Sequence, residues 1–189
     1  MEIDNLTEQQ KYSLRKSEVQ QLASFFSVHP KGIDILFELS TSDNSELVFH
    51  AAWVLESCII GSCTLLSGYA NRLLALIPEL RNNSVRSHFC KLFKTWLVAN
   101  QKSLSDWIDA CNGDVEVLIE TCYLWLLSSD VPDGVKVQCL EILWILSSHF
   151  PWIAEVLPHS LRLIQIDSTP GVKVMVSRIS KARTGNGKA

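Results

Sequence analysis

Leu76-Ile77-Pro78-Glu79-Leu80-Arg81-Asn82-Asn83-Ser84-Val85-Arg86-Ser87-His88-Phe89-Cys90-Lys91-Leu92-Phe93 is the stretch that decides the fold of this chain. From Val85 onward, Val85, Phe89, Leu92, Phe93 and Trp96 fall at i, i+4, i+7, i+8 and i+11, which is one face of a helix. Asn82, Asn83 and Ser84 precede it and suit a turn and an N-cap. Further back, Leu73, Leu76, Ile77 and Leu80 form a second, shorter apolar face that encloses Pro78. The stretch therefore reads as helix, turn, helix. A proline inside the first helix removes a backbone hydrogen bond and predicts a kink there.

The same joint recurs along the chain. Asp43-Asn44-Ser45-Glu46-Leu47-Val48-Phe49, Asp130-Val131-Pro132-Asp133-Gly134-Val135-Lys136 and Asp167-Ser168-Thr169-Pro170-Gly171-Val172-Lys173 each place an Asp five residues before a Val that opens an apolar-periodic helix. Val48, Val85, Val135 and Val172 are 37, 50 and 37 residues apart. A fixed period of this size marks stacked helix pairs. The longer interval holds an extra piece, residues 100–114, expected as a short helix carrying Trp107 and Ile108.

Other stretches follow the helical period. Val115, Leu118, Ile119, Cys122, Trp125 and Leu126 share one face, as do Ile153, Val156, Leu157, Leu161 and Ile164. The last of these runs encloses Pro158, and a kink is expected there too. Residues 47–60 and 135–146 are apolar nearly all round, which places them in the middle of the stack. Residues 16–28 read as a first helix that caps the stack. Residues 1–15 form a polar N-terminal segment, 16–183 a single helical-repeat domain, and 184–189 a disordered tail.

The L-P-x-L helix, the turn and the V-R opening resemble HEAT repeats of the armadillo-like class. "LIPELRNNSVRSHFCKLF" and "VLPHSLRLIQIDSTPGVKVMVSRI" carry the resemblance, which extends over roughly residues 30–182. It implies an all-α fold, a right-handed α-α superhelix of HEAT-like helix pairs with about nine to eleven helices. Departures from the pattern are the 50-residue interval and Phe49 in place of the basic residue. The chain is also similar to small bacterial helical-repeat proteins, some of which carry an adenylosuccinate lyase label. His50–Glu56, residues 120–126 and Phe150-Pro151-Trp152-Ile153 carry that likeness. The lyase signature loop S-S-x-M-P-x-K-x-N has no counterpart, since neither Met1 nor Met175 sits in one.

The 189 residues suit one domain with a continuous core, and 47% of them are apolar. A net charge of −3 argues against a protein that lives on nucleic-acid phosphates, although a local basic face is compatible with it. No secretory h-region appears in the first 20 residues and no apolar run approaches membrane-spanning length, so a cytoplasmic protein without membrane attachment is expected. Cys58, Cys63, Cys90, Cys111, Cys122 and Cys139 include no C-x-x-C pair and read as reduced, mostly buried thiols.

Candidate chemistry is sparse. His88, His149 and His159 lack metal-ligand spacing, and neither a Gly-rich phosphate loop nor a G-x-S-x-G elbow is present. No catalytic, cofactor or metal site is expected, and the chain is read as a non-enzymatic scaffold for a protein or peptide. The residues expected to meet that partner are His50, Trp53, Glu56, Arg86, Lys136 and Trp144. Glu56 stands alone as a charge in an apolar helix, so it must reach solvent, pair with a cation, or titrate abnormally. Trp144 lies on the second face of an all-apolar helix and suits a groove, whereas Trp96 and Trp125 lie on clean core faces.

Asp43, Asp130 and Asp167 are expected to cap the second helices, with Arg86, Lys136 and Lys173 facing an Asp of a neighbouring repeat. Arg86, Lys91 and Lys94, and Lys173, Arg178, Lys181 and Arg183, read as solvated faces or positive helix ends, with an anion-binding patch as the sharper alternative. Two alternatives stand beside the scaffold. One is a HEAT-like DNA-binding protein or DNA glycosylase, which needs a strongly basic concave face. The other is the lyase activity of the label. Nucleic acid is the disfavoured partner, and exposed apolar side chains leave a homodimer open.

Overall fold

Each of the four repeat valines enters the core in the first turn of a helix, where Val48, Val85, Val135 and Val172 are all buried. The helices they open are the second members of successive pairs. The computed structural model describes residues 14–29, 31–61, 68–111, 114–165 and 169–186. Among these residues there are ten α-helices and no strand. They are α1 (Lys16–Val28), α2 (Gly32–Leu39), α3 (Ser45–Gly61), α4 (Ala70–Leu76), α5 (Asn83–Ala99), α6 (Leu104–Ala110), α7 (Asp114–Leu127), α8 (Asp133–Leu146), α9 (Pro151–Gln165) and α10 (Pro170–Asn186).

The second helices form one layer, in which α3 packs on α5, α5 on α8 and α8 on α10. The first helices form the other layer, in which α4 packs on α7 and α7 touches α9. Between them runs one continuous apolar core, with Phe37, Leu55, Phe89, Phe93, Ile119, Leu140 and Leu143 shut off from solvent. This is an all-α helical-repeat superhelix. α1 lies on α2 and α3, at the start of the stack. α1 and α2 meet so closely that a Cβ on Gly32 would fall 2.1 Å from the Phe26 carbonyl oxygen. Only glycine fits that approach. Lys31, just before it, has a left-handed φ of 65°.

The inserted piece is a 3-10 turn, Gln101–Ser103, followed by α6. α6 sets Trp107 edge-on against Trp96, with centroids 4.4 Å apart. Trp96 and Trp125 are core residues, as their clean faces imply.

Some local expectations are corrected. Pro78 does not kink an α-helix from within. α4 stops at Leu76, and Ile77–Glu79 close a 3-10 turn around the proline, which lacks the N–H an α-helix needs at that point. Pro158 does sit inside α9. Val156 is exposed, because the buried face of α9 narrows to Ile153, Leu157 and Leu161.

Asp43 and Asp130, the two turn aspartates among the described residues, are not side-chain caps. Asn44 Oδ1 accepts from the Leu47 N–H at 3.2 Å, and Asn82 Oδ1 accepts from the Ser84 and Val85 N–H groups at 2.9 and 3.3 Å. Asp43 and Asp130 are exposed. Asp130 serves through its carbonyl, which accepts from Asn83 Nδ2 of the preceding repeat at 2.9 Å. Asp167 lies outside the described residues, as do Cys63 and residues 1–13 and 187–189. α10 is helical as far as Asn186, across the start of the stretch expected as a tail.

Candidate functional site

The open side of the second-helix layer carries polar links from one repeat to the next. Glu56 on α3 is buried, with 5% of its surface exposed. His88 Nδ1 on α5 donates to Glu56 Oε2 at 2.6 Å, and Lys91 Nζ donates to Glu56 Oε1. Burial by itself would raise the Glu56 carboxyl. The hydrogen bonds and charges of His88 and Lys91 outweigh it and hold the carboxyl below the ordinary value. Of the three options open to a lone charge in an apolar helix, pairing is the one the fold uses. Phe49 closes the cluster, its ring centroid 5.4 Å from His88 and 5.9 Å from the half-buried Trp53.

The next link is on α5 and α8. Lys94 Nζ donates to Glu141 Oε2 at 2.8 Å, and Gln138 Nε2 donates to Ser87 Oγ at 3.3 Å. Lys91 and Lys94 are therefore bridges between repeats, more than a solvated face. Beyond Glu141 the layer opens into a pocket of about 400 Å³ between α5, α8 and α10. Trp144 and Ile145 line one wall, Val98 another, and Met175 and Arg178 the third.

The six residues expected at a partner site separate in space. Trp53 and Glu56 lie in the first cluster, with His50 buried on the same helix. Trp144 lines the pocket two second-helices away. Arg86 joins neither. Its Nε donates to the Leu80 carbonyl at 2.7 Å, Nη1 donates to Asn83 Oδ1 at 3.0 Å, and its guanidinium lies 4.9 Å over the Trp125 ring of α7. It is thus a joint between the layers, paired with an aromatic ring and a backbone carbonyl in place of a neighbouring Asp. Lys136 holds the matching place after Val135 and is half-buried. It precedes Glu141 by five residues and so points about 140° away around α8.

Residues beyond the six expected at a partner site complete the face. His88 and Glu141 are partners of side chains on other helices, with no local signal between them. Arg178 and Met175 appear as pocket walls only when α10 is docked. Cys90 and Cys139 place their sulfurs 3.9 Å apart in the core, and Cys58, Cys90, Cys111, Cys122 and Cys139 are free and buried. Hydrogen bonding to Cys139 and burial push the Cys90 and Cys122 thiols well up, as suits inert core groups. The outer layer shows a separate apolar surface, Val117, Leu124 and Leu127 on α7 and Trp152, Val156 and Leu163 on α9. Among the described residues no group of three His, Cys, Asp or Glu could hold a metal, and no helix is long and apolar enough to cross a membrane.

A family model for the HEAT repeat domain matches residues 6–183. The chain belongs to the HEAT repeat domain family. HEAT repeats generally serve as protein-interaction scaffolds, and the family is typically non-enzymatic. No match is found among curated proteins or among solved structures. The family accounts for the fold, while the function must be argued from the surface of this HEAT domain.

Proposed function

We propose that this HEAT domain is a non-enzymatic, cytoplasmic scaffold that binds a protein or peptide along the open side of its second-helix layer. The observation that carries the reading is the continuity of that side. It runs from the Phe49–Trp53–Glu56–His88–Lys91 cluster through the Lys94–Glu141 pair to the Trp144 pocket. Stacked repeats present such extended surfaces to partners. Aromatic anchors ringed by ordered charges are the usual make-up of a binding face.

A photo-reactive amino acid placed at Ser87, Lys91 or Arg178 tests the reading, with Glu120 and Glu155 of the outer layer as controls. All five sites are exposed or half-buried. Cross-linking in cells followed by mass spectrometry should join a protein to the first three sites and not to the controls. Cross-links confined to the controls, nucleic acid at the inner sites, or turnover of a metabolite by the pure protein would reject the scaffold. Cross-links from Leu124 and Leu163 to a second copy would assign the outer apolar surface to a homodimer.

A further inference from the structure

Charge is segregated between the layers of this acidic chain. The four second helices, α3, α5, α8 and α10, contain eight Lys and Arg against four Asp and Glu. The first helices α4, α7 and α9 contain two against four. α5 and α10 hold no carboxylate at all, and these two helices flank the Trp144 pocket. The negative C-terminal end of the helix dipole explains some of the cations of α10. It does not explain why α5, with Arg86, Lys91 and Lys94 spread along its length, lacks acids as well.

Within this setting the pocket has two chemical zones. Trp144, Ile145, Val98 and Met175 supply apolar walls, and Val98 is more than half exposed. Lys94 and Arg178 stand at the rim. Lys94 is already held by Glu141. Arg178 is exposed and has no ion-pair partner among the described residues. An apolar cavity beside an uncommitted guanidinium suits a side chain of hydrophobic type next to a carboxylate. The volume lies in the usual ligand-pocket range of about 300–1,000 Å³. Glu141 is neutralised by Lys94, so Arg178 is the cation this lining leaves unpaired among the described residues, which matches a single carboxylate better than a run of phosphates.

Resting on the scaffold reading above, we infer that the Trp144–Arg178 pocket is the anchor site for an acidic peptide segment. An aliphatic or aromatic side chain of the segment fills the pocket, and an adjacent Asp or Glu pairs with Arg178. The segment's remaining carboxylates run toward α5, over the carboxylate-free helix that carries Lys91 and Lys94.

A random-peptide phage library panned on the full chain provides the test. Enriched peptides are then synthesised with a fluorescent label and titrated by anisotropy against the wild type, Arg178→Glu, Arg178→Lys, Trp144→Ala and Lys91→Ala. The peptides should share a large apolar residue flanked by Asp or Glu. Arg178→Glu and Trp144→Ala should each weaken binding about tenfold or more, and Arg178→Lys should retain most of it. Circular dichroism of each variant separates lost binding from lost fold, and the exposed Arg178 position gives a readout free of core damage.

Neutral or basic consensus peptides would overturn the inference. So would acidic ones indifferent to both Arg178→Glu and Trp144→Ala. If those peptides depend on Lys91 instead, the interaction face survives and the pocket assignment falls. If no peptide is enriched while single-stranded oligothymidine binds with sensitivity to Arg178→Glu, the pocket is a nucleic-acid site and the peptide assignment is wrong. If neither binds and the cross-linking is also negative, both readings fall together.

Discussion

Glu56 shows how one residue is read and what the reading lacks. As the lone charge among Val48, Ala51, Ala52, Val54, Leu55, Cys58 and Ile59, it had to be satisfied somehow. The partners, His88 and Lys91, sit 32 and 35 residues away on another helix, beyond the reach of any local pattern. Removing the charge leaves a half-buried imidazole facing a neutral amide. The Lys91 arm is nearly half exposed and is screened by water, so the His88 arm dominates the loss. Glu56→Gln is expected to cost about 1–3 kcal/mol in urea unfolding at neutral pH.

The pH dependence follows from the lowered carboxyl. The unfolded chain takes up the Glu56 proton at about pH 4.3, and the folded chain only at a lower pH. The stabilisation is therefore complete above that value and is lost as pH falls through the folded one. The gap between wild type and Glu56→Gln should close on acidification. A gap that is the same at neutral pH and below pH 4 would show that the pairing is not its source.

At the scale of the element, helix boundaries follow from residues with a stereochemical reason to sit where they do. Asn82 ends the turn and starts α5 by accepting from two N–H groups that the helix leaves over. Asn82→Ala should cost about 1 kcal/mol of thermal or urea stability, and Asn82→Asp or Asn82→Ser should restore most of it. A neutral Asn82→Ala would mean that water caps α5 equally well. The two prolines show where sequence pattern stops. Pro78 and Pro158 both follow apolar residues with helical spacing, yet one ends a helix in a 3-10 turn and the other lies within one. After Pro78 the chain must reverse within four residues to begin α5 at Asn83, whereas after Pro158 the helix continues to Gln165. Helical spacing makes the apolar face of α9 one residue too wide for a similar reason. Val156 has the right spacing, but α9 covers only part of its neighbours and leaves that side in the open.

At the scale of the molecule, stability in a stack passes between neighbours. Among the described residues α5 and α8 each lie between two other second helices, while α10 packs on one of them, α8, and α1 packs on α2 and α3. Such an array opens from its ends. Native-state hydrogen exchange should therefore find the slowest amides in α5 and α8 and progressively faster ones toward α1 and α10. Uniform protection across all the helices would indicate a single cooperative unit in place of graded repeat coupling. The segregation of charge belongs to this scale too. A net charge of −3 argues against a phosphate-binding protein, but it averages over two layers of opposite sign and cannot see either one.

Local pattern along the chain was enough for the helix-pair architecture, because 37-residue spacing of the valines and helical periodicity are local properties that burial must respect. It also determined that Trp96 and Trp125 belong to the core and that Glu56 needs a partner. Packing of one repeat on the next selected that partner. It also drew Arg86 onto Trp125 and away from the open face, and it joined Trp144 to Met175 and Arg178. Those contacts depend on how neighbouring repeats rotate against one another. Rotation is set by the summed packing of whole helix faces, and no single stretch of chain contains it.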